Sequence, residues 1–148
     1  MVAGRRSSEG RIAFQSLVAG AILVIDESLN PRIAAEVRAR GRDAISVQQL
    51  RLKGKKDPAL LTQIYRLHPT CVLVTADEAM PIEHPEQIKL AMATLAIISG
   101  RRPSEYAKDQ ESWEREIVQR WAHKMPHQAP QTILRYGASG SRAWTARR

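Results

Sequence analysis

The chain has 148 residues, with 23 Lys and Arg against 15 Asp and Glu, a formal net charge of +8. A hydrophobic share of 43% excludes wholesale disorder, and the length fits one domain around one core. The single cysteine, Cys71, excludes an internal disulfide framework and any CxxC zinc or redox motif, and fits a reducing, cytoplasmic setting. The basic surplus points to a polyanionic partner, nucleic acid before membrane.

Residues 1–20 read as a basic N-terminal arm, with Arg5, Arg6 and Arg11 against Glu9. The apolar stretch 17–25 behind it is too short for a membrane span, which takes about 20 residues. It runs into Asp26 and Glu27 without an A-x-A cleavage site, so neither a signal nor a membrane role is expected. Residues 21–25 (AILVI) are a continuous apolar run, the pattern of a strand covered on both faces of a parallel sheet. Asn30-Pro31 is a cap followed by a first-turn proline. Leu29, Ile33 and Val37 then recur every four residues until Gly41 ends the helix.

Residues 44–47 (AISV) read as a short second strand and 48–56 (QQLRLKGKK) as a polar, basic connection. Asp57-Pro58 repeats the cap-plus-proline signal ahead of Leu60, Leu61, Ile64 and Leu67, and Pro69 closes that helix. Residues 71–74 form a third apolar run, ending at Thr75-Ala76-Asp77-Glu78. Strand–helix–strand–helix–strand implies two right-handed crossovers and an α/β fold with a mainly parallel sheet flanked by helices. Pro81 and Pro85 mark a loop, 86–92 a short helix and 94–99 a fourth strand. Residues 104–125 read as the longest helix, with Trp113, Ile117 and Trp121 on one face, and 132–136 as a last strand. The domain is thus 21–136, followed by a small, basic tail, 137–148, expected to be mobile.

In a parallel sheet every strand's C-terminal end points to one edge, where ligands bind. Asp26 and Glu27 follow the first strand, Asp77 and Glu78 the third, and Asp57 opens the helix after the second. Two such charges at 4 Å repel by about 4 kcal/mol at an effective dielectric of about 20. A hard divalent cation, Mg²⁺ or Mn²⁺, relieves that cost. Arg51, Lys53, Lys55 and Lys56, just before Asp57, are placed to grip a nucleic-acid backbone.

Each of these residues also has a plainer reading. Asp57 caps its helix, Asp26 is a solubilising strand end, and Asp77 is a turn-former. Glu27 is surface, Thr75 is a strand residue, and the basic loop is a solvated connection. His123 and His127 flank Pro126 and lack a third ligand, and no GxGxxG, Walker-type or GxSxG motif is present.

The string from Ile25 to Arg32 (IDESLNPR), then Gly41-Arg42-Asp43-Ala44, then Asp57 opening a helix, then Leu73-Val74-Thr75-Ala76-Asp77, resembles the PIN-like family. These are small bacterial proteins related to PIN-domain ribonucleases, VapC-type toxins among them. The resemblance covers residues 21–80 and implies a three-layer PIN-like domain. It implies that Asp26, Asp57 and Asp77 bind metal, with Glu27 as the second acid after the first strand and Thr75 as the hydroxyl of a T-x-D element. The implied activity is Mg²⁺- or Mn²⁺-dependent cleavage of RNA by an activated water. The implied partner is an antitoxin. The helix carrying Trp113, Ile117 and Trp121 lies outside the resemblance and reads first as a cover for the sheet, with a surface for a partner or for a second copy of the chain as the alternative. Glu78-Ala79-Met80 departs from the acid-plus-aromatic continuation seen in many members, which leaves a fourth carboxylate and a second metal unsupported. A catalytically degenerate nucleic-acid-binding or regulatory module is the alternative expectation. A phosphoacceptor receiver domain is a weaker one, because Ser99-Gly100-Arg101 supplies no lysine after a late strand.

Overall fold

The computed structural model describes residues 20–52, 57–99 and 109–145, excluding the side chains of residues 57 and 58. Six strands form one sheet: β1 (Leu23–Ile25), β2 (Ala44–Ser46), β3 (Val72–Thr75), β4 (Thr94–Ile98), β5 (Ile133–Tyr136) and β6 (Ser141–Ala143). Their order is β2-β1-β3-β4-β5-β6, with β1 to β5 parallel and β6 antiparallel to β5. The helices are α1 (Arg32–Ala39), α2 (Asp57–Leu67), α3 (Met80–Glu83), α4 (Pro85–Ala91) and α5 (Gln110–Trp121).

Local signals fix several element ends. Asn30 Oδ1 accepts the Arg32 N–H at 2.8 Å while Pro31 is already helical, so Asn30 caps α1 and proline takes the first helical position. Gly41 stops the helix at φ +86°. Three expectations need correction. Pro81 and Pro85 sit at the starts of α3 and α4 rather than in one long loop. The long helix begins at Gln110, not 104, because Asp109 is extended there and its Oδ1 accepts the Ser112 N–H at 2.8 Å. The segment from Gly137 is not simply a loose tail: residues 141–143 return as β6 and extend the sheet.

Both faces of the sheet are covered, which is why its strands read as unbroken apolar runs. Leu23, Ile25, Val72, Val74, Ala96 and Ile98 pack against α1 and α5, with Trp113 and Ile117 buried among them. Val24, Leu73, Leu95 and Ile97 pack on the other face against Leu60, Leu61 and Ile64 of α2, Met80 of α3 and Ile88 of α4. The tryptophans of α5 also tie it to the strand ends, Trp113 Nε1 donating to Ser99 O (3.1 Å) and Trp121 Nε1 to Gly137 O (2.8 Å).

The layering has a consequence for chain handedness. The chain moves from β1 to β2 under α1, then reverses to β3 and β4 under α2, α3 and α4 on the opposite face. Those crossovers therefore share one hand. From β4 to β5 the direction is unchanged, yet α5 lies on the α1 face. That connection has the opposite hand, a rarity among parallel crossovers. Among the described residues no helix covers the β5–β6 end of the α2 face, where a same-handed crossover would place one.

Tyr65 of α2 binds the helix to the sheet. Its buried hydroxyl accepts the Thr94 N–H (2.9 Å) and lies 2.9 Å from Thr94 O and 3.1 Å from Cys71 O. Tyr65→Phe orphans a buried N–H and two carbonyls. A loss of about 1–3 kcal/mol is expected, read as a lower urea midpoint at unchanged slope. Burial also pushes the neighbouring Cys71 thiol up from 9.0 to about 12. A folded-state value above the unfolded one gives stability that is full below pH 9 and lost as pH rises toward 12. Urea midpoints measured from pH 8 to 11 should therefore fall more steeply for wild type than for Cys71→Ala.

Candidate active site

The site forms where the strand order reverses, between β1 and β3, the position at which doubly wound sheets open a crevice beyond their C-terminal edge. The Asp26 N–H bonds Val74 O at 2.9 Å, which carries the parallel ladder one residue past Ile25. Alternation along β1 then puts Asp26 on the α2 face, level with Thr75.

Asp26 is only 6% exposed and Thr75 is fully buried. Asp26 Oδ2 accepts from the Ser28 hydroxyl (2.8 Å), the Thr75 hydroxyl (2.8 Å) and, at 3.4 Å, the Ser28 N–H. Each hydroxyl accepts a backbone N–H in turn: Ser28 Oγ from Ala76 (3.0 Å) and Thr75 Oγ1 from Asp77 (3.0 Å). The two hydroxyls also lie 3.2 Å apart, close enough to hydrogen-bond each other, so both belong to one network around Asp26. Oδ1 is not hydrogen-bonded by any described residue. Asp26 also lines a narrow cleft of about 20 Å³, beside Glu27, Ser46 and Gln48, with room for about one water.

The other expected residues divide. Asp77 is half-buried at the same crevice, and its Oδ1 accepts the Ala79 N–H at 3.0 Å, so it does form the turn that opens α3. Its second oxygen has no partner among the described residues. Glu27 is exposed beside Asp26. Glu78 is drawn away from the crevice by Arg135 of β5, Oε1 to Nε at 2.8 Å. Asp57 is the first residue of α2, which topology places at the same edge, but its side chain lies outside the described residues. Arg51 is exposed with φ +61°, and Lys53, Lys55 and Lys56 lie outside the described residues. Among the described residues no three His, Cys, Asp or Glu side chains converge closely enough to hold a metal ion. Of the expected triad, Asp26 and Asp77 are described at the C-terminal edge of the sheet, and the Asp57 side chain is not.

Two residues escaped the sequence reading. Ser28 is recognisable only as a hydroxyl two positions after an acid, a common turn pattern. Arg135 is a charged residue at an inward position of the strand TILRY, a signal the alternation of that strand carries. No family model matches the chain, and comparisons with curated proteins and with solved structures return no significant match.

Thr75→Val keeps the side chain's shape and removes the hydroxyl's hydrogen bonds to Asp26, to the Asp77 N–H and to Ser28 Oγ. We expect a loss of about 1–3 kcal/mol. In a double-mutant cycle with Asp26→Asn the two changes should couple by more than about 0.5 kcal/mol. Additive effects would show that hydroxyl and carboxylate act independently.

Proposed function

We propose that the protein is a metal-dependent endoribonuclease of the PIN-like kind, the toxin of a toxin–antitoxin pair acting in the cytoplasm. The observation that carries this reading is Asp26, buried, gripped through one oxygen by two neutral hydroxyls, with the other oxygen unbonded at the crevice. No cation of the described residues pairs with it, and a buried charge without a counter-ion costs several kcal/mol. A cation arriving from solution relieves that cost.

The donors present suit a hard ion. Asp26 and Asp77 offer oxygen, the ligand type of Mg²⁺ and Mn²⁺. Asp57 and Glu27 are the acids that would complete the set. The chemistry supplied by such an ion, when bound, is polarisation of a phosphodiester and acidification of a water. The chain's own contribution is positional. Ser28 and Thr75 fix the plane of the Asp26 carboxylate. Arg51, Lys53, Lys55, Lys56 and the basic C-terminal third would hold the RNA backbone. A cognate antitoxin is the partner this reading calls for. Among the described residues no helix is long and apolar enough to cross a membrane.

A second reading, a non-catalytic nucleic-acid-binding or regulatory module, is favoured by the use of Asp77 Oδ1 as a turn cap and of Glu78 as a partner for Arg135. The receiver-type alternative gains nothing, since β5 leads into Gly137-Ala138-Ser139 and again supplies no lysine.

Purified protein incubated with labelled RNA should cut it with Mn²⁺ or Mg²⁺ and not with EDTA. Asp26→Asn should abolish cutting in a protein that still unfolds cooperatively, and Ser28→Ala should slow it by about 10–100-fold. Cutting at wild-type rate by Asp26→Asn would overturn the assignment. RNA binding indifferent to EDTA, with no cutting, would favour the second reading.

A further inference from the structure

The row that holds Asp26 and Thr75 continues along the sheet through Ile97 to two arginines. Register sets Thr75 beside Ile97, Ile97 beside Arg135, and Arg135 opposite Arg142, all on the α2 face. Arg135 is 5% exposed, yet its one hydrogen bond runs from Nε to Glu78. A guanidinium carries five N–H donors, so the four on Nη1 and Nη2 have no acceptor among the described residues. These donors reach solvent at the cleft that Arg135 lines, open to an acceptor from solution.

Arg135 lines a cleft of about 280 Å³ between the end of β4 and the β5–β6 hairpin, together with Arg142, Ser99, Ser139 and Ser141. Arg142 is exposed and pairs with no acid among the described residues. No carboxylate of the described residues lines the cleft. Gly137 and Gly140 complete its wall, and a Cβ on Gly137 would stand 3.8 Å from the Ser99 side chain and narrow the mouth. Two guanidinium groups, three hydroxyls and no acid make an anion site, and a guanidinium fork matches the paired oxygens of a phosphate.

We propose that this cleft binds a phosphate group of an RNA backbone, held by the Nη groups of Arg135, by Arg142 and by the serine hydroxyls. The identity of the polymer rests on the ribonuclease reading, whereas the anion chemistry does not. The cleft shares its sheet edge and face with Asp26 and lies three strands away, about 14 Å at the usual interstrand spacing. A single strand laid along that edge meets both. Glu78 joins the two places, because it follows Asp77 directly and holds Arg135.

Arg142 is the residue to change, since its exposure spares the fold, whereas Arg135 is buried. Full-length Asp26→Asn protein is titrated against fluorescein-labelled single-stranded RNA of mixed sequence at several salt concentrations, with and without Arg142→Ala. Affinity should fall several-fold, and the slope of log K against log salt should shrink by about 0.7, the loss of one single-strand phosphate contact. In parallel, inorganic phosphate is added to both proteins and the Gly137, Gly140 and Ser141 amide resonances are followed. They should shift in the parent and stay still in the Arg142 variant. Phosphate-dependent shifts with unchanged RNA affinity and slope would overturn RNA as the ligand. Amides indifferent to phosphate, with unchanged RNA binding, would overturn the anion site itself. The phosphate arm involves no cleavage, so its result is independent of whether the protein is a nuclease.

Discussion

A carboxylate has been placed where water scarcely reaches, at the end of a strand whose other residues are wholly buried. Such a group destabilises the fold unless its surroundings are built to receive it. The receiving structure begins in the backbone. The Asp26 N–H continues the β1–β3 ladder to Val74, and this register brings Thr75 level with the carboxylate. The chain then turns so that Ser28 reaches back to the same oxygen, while the Leu29 N–H closes onto Asp26 O at 3.0 Å. Slipping β1 against β3 by one residue would put Asp26 into the apolar layer under α1 and α5. The register of the central strands and the geometry of the crevice are therefore one constraint, expressed at two scales.

That constraint also decides which oxygen is available. The two hydroxyls converge on Oδ2 and draw their own orientation from the Ala76 and Asp77 amides. The carboxylate cannot rotate without breaking both, so Oδ1 is presented in a fixed direction. Neutral donors orient the group without cancelling its charge, which a lysine or arginine would have done. An enzyme needing a charged, fixed oxygen ligand and a binding module needing a rigid acidic mark would both gain from this arrangement. What separates them is the fate of the remaining acids.

Much of the scaffold was legible in the sequence because its signals are local. Five apolar residues in a row report burial on both faces, Asn30-Pro31 reports a helix start, and Gly41 reports a left-handed end. Asp26 and Thr75 were legible as strand-end residues, and parallel topology supplied the rest. Non-local facts were not legible. The strand order, the face chosen by α5 and the return of β6 depend on pairings between distant segments that no periodicity encodes. Asp109 was overlooked because helical spacing continues upstream of it, and only its extended backbone shows that the helix starts after it. Ser28 and Arg135 were missed for a related reason. A serine in a turn and one arginine in a strand acquire meaning only from their partners: Asp26, to which the distant Thr75 also donates, and Glu78, 57 positions away.

The two ends of this sheet-edge row meet the same electrostatic problem in opposite ways. At the β5 end a buried cation is only partly compensated: Glu78 takes one donor of Arg135 and leaves the fork open. At the β1 end a buried anion is only oriented: hydroxyls take one oxygen of Asp26 and leave the other open. Had Glu78 remained at the crevice, the acids there would repel one another more strongly and Arg135 would stand in the sheet with no partner at all. Its displacement lowers the negative charge at the crevice and fixes the guanidinium at the hairpin. The result is an edge with an open anionic oxygen at one end and open cationic donors at the other. Under the proposed reading each end lacks the charge that one component would bring, a metal ion at the carboxylate and a phosphate at the guanidinium.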